Sequence, residues 1–286
     1  GQKYENLSHG KEMHVGTVKV PDIRLERLYE MFKPKKMTHA VMEYFDLAGQ
    51  PGGKGKGIDS QILQTLKNAD SLIAVLDAFS DAADPMGDFT TLSEDLAFTD
   101  LVMVAGRLER IEKDLRSGKA DDLLLEQEVL EKCRDTLEAG GAIRDLELKE
   151  EEARTIRGYQ LLSRKPLLIV MNISEKALSD GKARFFEDMF ANVRNVQCAA
   201  ICSEVEMEIA ALDERDRPEF LASMSIAEPA LGRVIRMSYS GMGLISFFTA
   251  GGLDEVRAWT VRKGAKAPEC AGVIHSDLER DRKSVV

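Results

Sequence analysis

A chain of 286 residues, 44% hydrophobic, 31% charged and 6% aromatic, carries enough apolar material for two or three domains and lies outside disordered, collagen-like and disulfide-scaffold compositions. Its formal charge of −10 argues against non-specific DNA binding, and no apolar run approaches the roughly 20 residues of a membrane span, so a soluble cytoplasmic protein with no membrane partner is expected. Cys133, Cys198, Cys202 and Cys270 follow neither a disulfide nor a zinc spacing, which predicts buried structural thiols in a reducing compartment.

Short apolar runs at 41–45, 72–76, 167–171 and 196–201, with helical stretches between them, predict βα units around a mostly parallel sheet. Ligands of such sheets gather at the carboxyl ends of the strands. Between 92 and 159 the pattern changes: Leu101, Val104, Leu108, Ile111 and Leu115 recur at three-four spacing, Ser117-Gly118-Lys119 interrupts, and Leu123, Leu130, Cys133 and Leu137 resume. This predicts an antiparallel helical hairpin inserted in the α/β domain. The negative charge concentrates there, with 12 acidic against four basic residues between 121 and 152, which leaves basic patches elsewhere able to meet phosphate. After about Ser240, Leu244-Ile245-Ser246-Phe247-Phe248, Gly251-Gly252 and Val256-Arg257-Ala258-Trp259-Thr260-Val261 predict a small β-hairpin module with Trp259 in its core.

Three strand ends carry residues with chemical potential. Asp46-Leu47-Ala48-Gly49-Gln50 follows the first run. In nucleotide hydrolases a carboxylate so placed holds Mg²⁺ through water, a glycine three residues on offers its N–H to the γ-phosphate, and a glutamine can orient the attacking water. The same residues also suit an ordinary strand-ending turn. Asn172-Ile173-Ser174-Glu175 follows the run at 167–171, where a side-chain amide can bond a donor and an acceptor of a base edge. Cys202-Ser203-Glu204 follows the last run. The three together, in this order, match the requirements of a nucleotide-binding G domain.

From about His14 to Arg280 the chain resembles the YchF (Obg-like ATPase) family of P-loop NTPases, as a divergent paralogue. The resemblance rests on Val15-Gly16-Thr17-Val18, Val20-Pro21-Asp22-Ile23-Arg24-Leu25, Asp46-Leu47-Ala48-Gly49, Arg107-Leu108-Glu109-Arg110-Ile111-Glu112-Lys113 and Lys165-Pro166-Leu167 leading to Asn172-Ile173-Ser174-Glu175. It continues through Phe247-Phe248-Thr249-Ala250-Gly251, Glu255-Val256-Arg257-Ala258-Trp259-Thr260-Val261-Arg262-Lys263-Gly264 and Ala271-Gly272-Val273-Ile274-His275-Ser276-Asp277-Leu278-Glu279-Arg280.

The resemblance implies a G domain over 1–91 and 160–239, the helical hairpin over 92–159, and a partial TGS-like β-grasp domain over 240–280. It implies an ATPase, with GTP also accepted, that uses Mg²⁺ and associates with ribosome or RNA. Asp46 would stand in the metal shell through water, with Ser8 as the second candidate, and Gly49 would sense γ-phosphate. Asn172, the Ile173 backbone and Glu175 would shape the base pocket, with Ser203 and Glu204 in the loop closing over it. N-x-x-E in place of N-K-x-D removes the aspartate that grips guanine, which favours ATP. Gln50 stands where the family has an apolar residue, and either orients water or faces solvent. Arg262, Lys263 and Lys266 are the RNA or ribosome candidates.

No G-x-x-x-x-G-K-[ST] phosphate loop occurs in these residues. The sequence is expected to start after it, and this chain alone is expected to bind nucleotide poorly. A non-hydrolysing, translation-associated binding protein with a degenerate site is the alternative. The tail 281–286 matches nothing in the family pattern and can be back-translated into a common sequencing adapter, so it is expected to be an artefact.

Overall fold

The computed structural model describes residues 14–47, 60–116, 122–224, 226, 228–251 and 254–280. In chain order they form β1 (His14–Lys19), α1 (Ile23–Phe32), β2 (Lys36–Thr38), β3 (Val41–Asp46), α2 (Ser60–Asn68), β4 (Leu72–Ala78), α3 (Pro85–Arg116), α4 (Asp122–Glu138) and α5 (Glu150–Thr155). There follow β5 (Leu167–Ile173), α6 (Glu175–Ser179), α7 (Ala183–Asp188), β6 (Val196–Ile201), α8 (Ser203–Ala211), α9 (Arg217–Ser223), α10 (Ala230–Gly241), β7 (Leu244–Ala250), β8 (Glu255–Arg262), α11 (Ala267–Ile274) and α12 (Ser276–Arg280). The chain divides into two compact units, one comprising Gly49–Ala211 and the other Gly1–Ala48 with Leu212–Val286.

The central unit is built on a parallel sheet in the order β4-β5-β6. Residues 167–171 of β5 are all buried, as a central strand covered on both faces requires. The register sets Asp77 of β4 beside Asn172 of β5, and Asn172 beside Ile201 of β6, so three strand ends share one edge. Helices α3 and α4 pack as a hairpin around Val104, Leu108, Ile111, Val129, Leu130, Cys133 and Leu137. The Arg107 guanidinium clamps the pair through two bonds to the Glu126 carboxylate, at 2.7 and 2.8 Å, and Tyr159 donates its hydroxyl to the same group. Burial pushes the Cys133 thiol up to about 11, which makes it an inert core residue.

Asp100, in the middle of α3, is fully buried and accepts from Leu162 N (2.8 Å), Ser163 N (2.7 Å) and Ser163 Oγ (2.7 Å). It fixes the turn that leads into β5. Three donors on two oxygens suit a carboxylate, although burial pushes the group above the usual carboxylate range.

The second unit holds an antiparallel β1–β3 ribbon and a three-stranded sheet in the order β2-β8-β7. Here the structure differs from the sequence reading, because the run at 41–45 joins a ribbon instead of the parallel sheet. Its partner is β1, where Val18 packs against the core and Thr17 is exposed. The two units meet in sequence at Ala48/Gly49 and Ala211/Leu212, and β8 pairs in parallel with β2, so the C-terminal β-hairpin shares its sheet with the N-terminal segment. Asp22 caps α1 by accepting from Arg24 N at 3.0 Å, and its carboxylate also holds the Arg24 guanidinium, which lies 4.9 Å over the Phe248 ring. Leu25 is fully buried in the shared core with Val256 and Tyr239.

Trp259 is half-buried and not in that core. Its Nε1 donates to Thr249 Oγ1 at 2.9 Å, and the Arg257 guanidinium stacks 4.1 Å over its ring.

Candidate functional site

The carboxyl edge of the parallel sheet carries Asn172 and Ile173 at the end of β5, Glu175 at the start of α6, and Ser203 and Glu204 at the start of α8, not in a loop as expected. Asn172 lies at the penultimate position of β5, half-buried, and its Oδ1 accepts from Ser203 N at 3.0 Å. That bond fixes the amide so that Nδ2 faces away from the β6 loop, and among the described residues nothing takes it. The side chain therefore presents a donor, which suits a ring nitrogen such as purine N7. Ile173 buries its side chain, so only its backbone can meet a ligand.

Ser174 caps α6 by accepting from Ala177 N at 3.2 Å, and this places Glu175 as an exposed carboxylate in the first helical turn. Ser203 is half-buried and Glu204 exposed at the start of α8, while Cys202 just before them is buried.

Asp77 is the residue of this edge that the sequence reading missed. Its Oδ1 accepts from Phe79 N (2.9 Å) and Ser80 N (3.2 Å), and its Oδ2 from Ser80 Oγ (2.6 Å). The Ser80 hydroxyl first, then the backbone donors, hold its carboxyl below the usual range, so an anion stands one strand from Asn172. The only signal in the sequence was its position, one residue past the apolar run at 72–76.

Asp46 belongs to the other unit, where it ends β3 with an exposed carboxylate opposite His14. Gly49, Gln50 and Ser8 lie outside the described residues. No group of three metal-ligating side chains occurs among the described residues. A lone carboxylate is nevertheless the donor set that Mg²⁺ uses when waters and substrate phosphates fill its remaining positions.

The basic clusters separate by pairing. Lys35 and Lys36 meet Asp254 at 2.9 Å and Glu255 at 3.4 Å. Arg262, Lys263 and Lys266 crowd one exposed turn between β8 and α11, where Lys263 N bonds Gly243 O at 2.7 Å and Gly264 takes the left-handed φ of 88° that the tight turn needs. Among the described residues no acidic side chain pairs with these three cations. No helix among the described residues is long and apolar enough to cross a membrane.

The chain is similar to known proteins over nearly its whole length. Residues 244–283 match the family model YchF-GTPase_C, described as "Protein of unknown function (DUF933)". The chain is 38% identical over 282 residues to the ribosome-binding ATPase YchF of Bacillus subtilis, covering 93% of this chain and 76% of that protein. It is 34% identical over 279 residues to the ribosome-binding ATPase YchF of Haemophilus influenzae, covering 94% and 76%. Its fold superposes on the YchF GTPase of Schizosaccharomyces pombe with a TM-score of 0.80 at 28% identity, over 93% of this chain and 75% of that one.

Proposed function

The chain belongs to the YchF family, and from that premise we propose that it is a nucleotide-binding protein of Mg²⁺-dependent ATP hydrolysis, with GTP a poorer substrate, that couples nucleotide state to ribosome or RNA binding. The observation that carries this reading is the Asn172 amide, held by Ser203 N with its Nδ2 outward and followed after one turn by the Glu175 carboxylate. Asn172 would donate to purine N7, a feature common to both purines. Glu175 would accept from the exocyclic amino group of adenine without the paired grip on guanine that an aspartate gives N-K-x-D proteins. The Ile173 backbone and the first turn of α8, with Ser203 and Glu204, would flank the base.

Asp46 would hold Mg²⁺ through water, and the ion, when bound, would neutralise charge on the transferred phosphoryl group. Gly49 and Gln50 would serve the γ-phosphate and the attacking water, and Ser8 is the second metal candidate. The exposed cations Arg262, Lys263 and Lys266 would meet ribosomal RNA. In domain terms the proposal keeps a G domain at 1–91 and 160–239, a hairpin at 92–159 and a TGS-like module at 240–280, in a cytoplasmic protein.

A second reading, a translation-associated binding protein that does not hydrolyse nucleotide, is favoured by that same cationic turn, since its charges need no nucleotide to act. Ribosome pelleting with ATP and with ADP, alongside phosphate release with and without Mg²⁺, both on the full-length gene product, separates the two. Tighter pelleting with ATP and Mg²⁺-dependent release support the first reading. Equal pelleting in both states with no release overturns it in favour of the second.

A further inference from the structure

At the end of the parallel sheet away from Asn172, the five residues 162–166 bond to four separate elements besides α5, whose Ala153 O accepts from Arg164 Nη1 at 3.2 Å. Leu162 and Ser163 donate three bonds to the buried Asp100 carboxylate in the stem of α3. The Ser163 Oγ also accepts from Ile143 N at 3.4 Å, and Lys165 O accepts from Arg144 Nε at 3.2 Å, which ties in the one-turn helix Ile143–Asp145 at the exit of the hairpin. Pro166 O accepts from Leu72 N (2.9 Å) and Ser71 Oγ (3.0 Å) at the entry of β4. Lys165 Nζ reaches the last carbonyls of α2, bonding Lys67 O at 2.8 Å and also Ala69 O.

A lysine on the final carbonyls of a helix is by itself an ordinary cap. This one differs because its own backbone sits two residues from the Asp100 anchor and has little slack. The charges are also shared across the elements: Lys67 of α2, Lys165 and Arg144 all lie within electrostatic reach of the buried Asp100 carboxylate. Displacing the end of α2 must break the Lys165 bonds or move the segment that holds the hairpin.

We propose that residues 162–166 form a rigid junction through which the last turn of α2 and the stem of the α3–α4 hairpin move as one, with Lys165 the link to α2 and Asp100 the link to the hairpin. Helix α2 follows Gly49 and Gln50 in the sequence, so the junction gives nucleotide contacts at those residues a route to the hairpin. That use rests on the nucleotide reading above; the junction itself does not, and it can be tested without nucleotide.

The test is hydrogen exchange on the full 286-residue chain, comparing wild type with Lys165→Met, which keeps the aliphatic stem and removes the charged donor, and with Lys165→Arg, which keeps a donor. Lys165→Met is expected to speed exchange roughly tenfold, the scale of one charged hydrogen bond, both at residues 65–69 and at residues 96–104 and 143–146. Lys165→Arg is expected to restore protection at all three. Acceleration confined to residues 65–69, or no acceleration, overturns the junction. So does acceleration throughout the chain, including residues 14–46, which would reveal general destabilisation instead of a link.

Discussion

Replacing Asp100 by Asn tests whether the buried carboxylate specifies the hairpin base. The carboxylate spreads three donors over two oxygens, with Leu162 N on Oδ1 and both Ser163 donors on Oδ2. An amide keeps one acceptor and turns an NH₂ toward the other side. Either orientation leaves a buried backbone N–H, from Leu162 or Ser163, facing a donor. An orphaned buried donor costs about 1–3 kcal/mol, and more when the lost partner was charged. Removing a charge that burial already disfavours offsets part of this. The expected net loss is roughly 2–3 kcal/mol, which moves the urea midpoint of the central unit down by about 1 M at ordinary slopes. The assay is urea unfolding followed by helical circular dichroism, with the slope checked for constancy. A variant as stable as wild type, or more stable, would show that the cost of burying the charge outweighs its three bonds, and would refute the reasoning.

Other outcomes follow from the same geometry. Leu130→Ala removes a fully buried side chain from the hairpin core and should cost about 2–5 kcal/mol by denaturant unfolding; a loss well under 1 kcal/mol would contradict the packing described. Arg107 first, then Tyr159, hold the Glu126 carboxyl below its ordinary value, so its contribution is present above the unfolded glutamate range and is lost as the pH falls through the lower folded value. Stability measured from pH 6 to 3 should therefore fall less steeply in Glu126→Gln than in wild type, and identical slopes would count against the clamp. Replacing Arg262, Lys263 and Lys266 together by Ala should flatten the dependence of log K on log salt for single-stranded RNA by about 2, at roughly 0.7 per contact. The paired Lys35 and Lys36 should matter little in the same titration.

The sequence shows plainly those features that depend on local pattern. The runs at 72–76, 167–171 and 196–201 form the parallel sheet, and the three-four spacing of Val104, Leu108 and Ile111 packs against Leu130 and Cys133. The run at 41–45 has the same look but finds an antiparallel partner, because apolar periodicity carries no information on strand direction. Asp100, Lys165 and Asp77 escaped notice for a different reason. Their partners are backbone groups, for Asp100 at Leu162 and Ser163 and for Lys165 at Lys67 and Ala69, and no residue type marks a backbone acceptor or donor. The sequence places Trp259 in the core of the β-hairpin module, whereas the Arg257 stack and the bond to Thr249 serve a half-buried ring.

Base recognition by Asn172 and Glu175 is the point on which the functional account turns, and it can be probed apart from any grip on phosphate. Saturation-transfer NMR with adenosine and with guanosine, on wild type and on Asn172→Ala, measures it directly. The account predicts stronger transfer to adenosine than to guanosine, lost in Asn172→Ala. Guanosine equal to or stronger than adenosine, or an adenosine signal that survives Asn172→Ala, would contradict it.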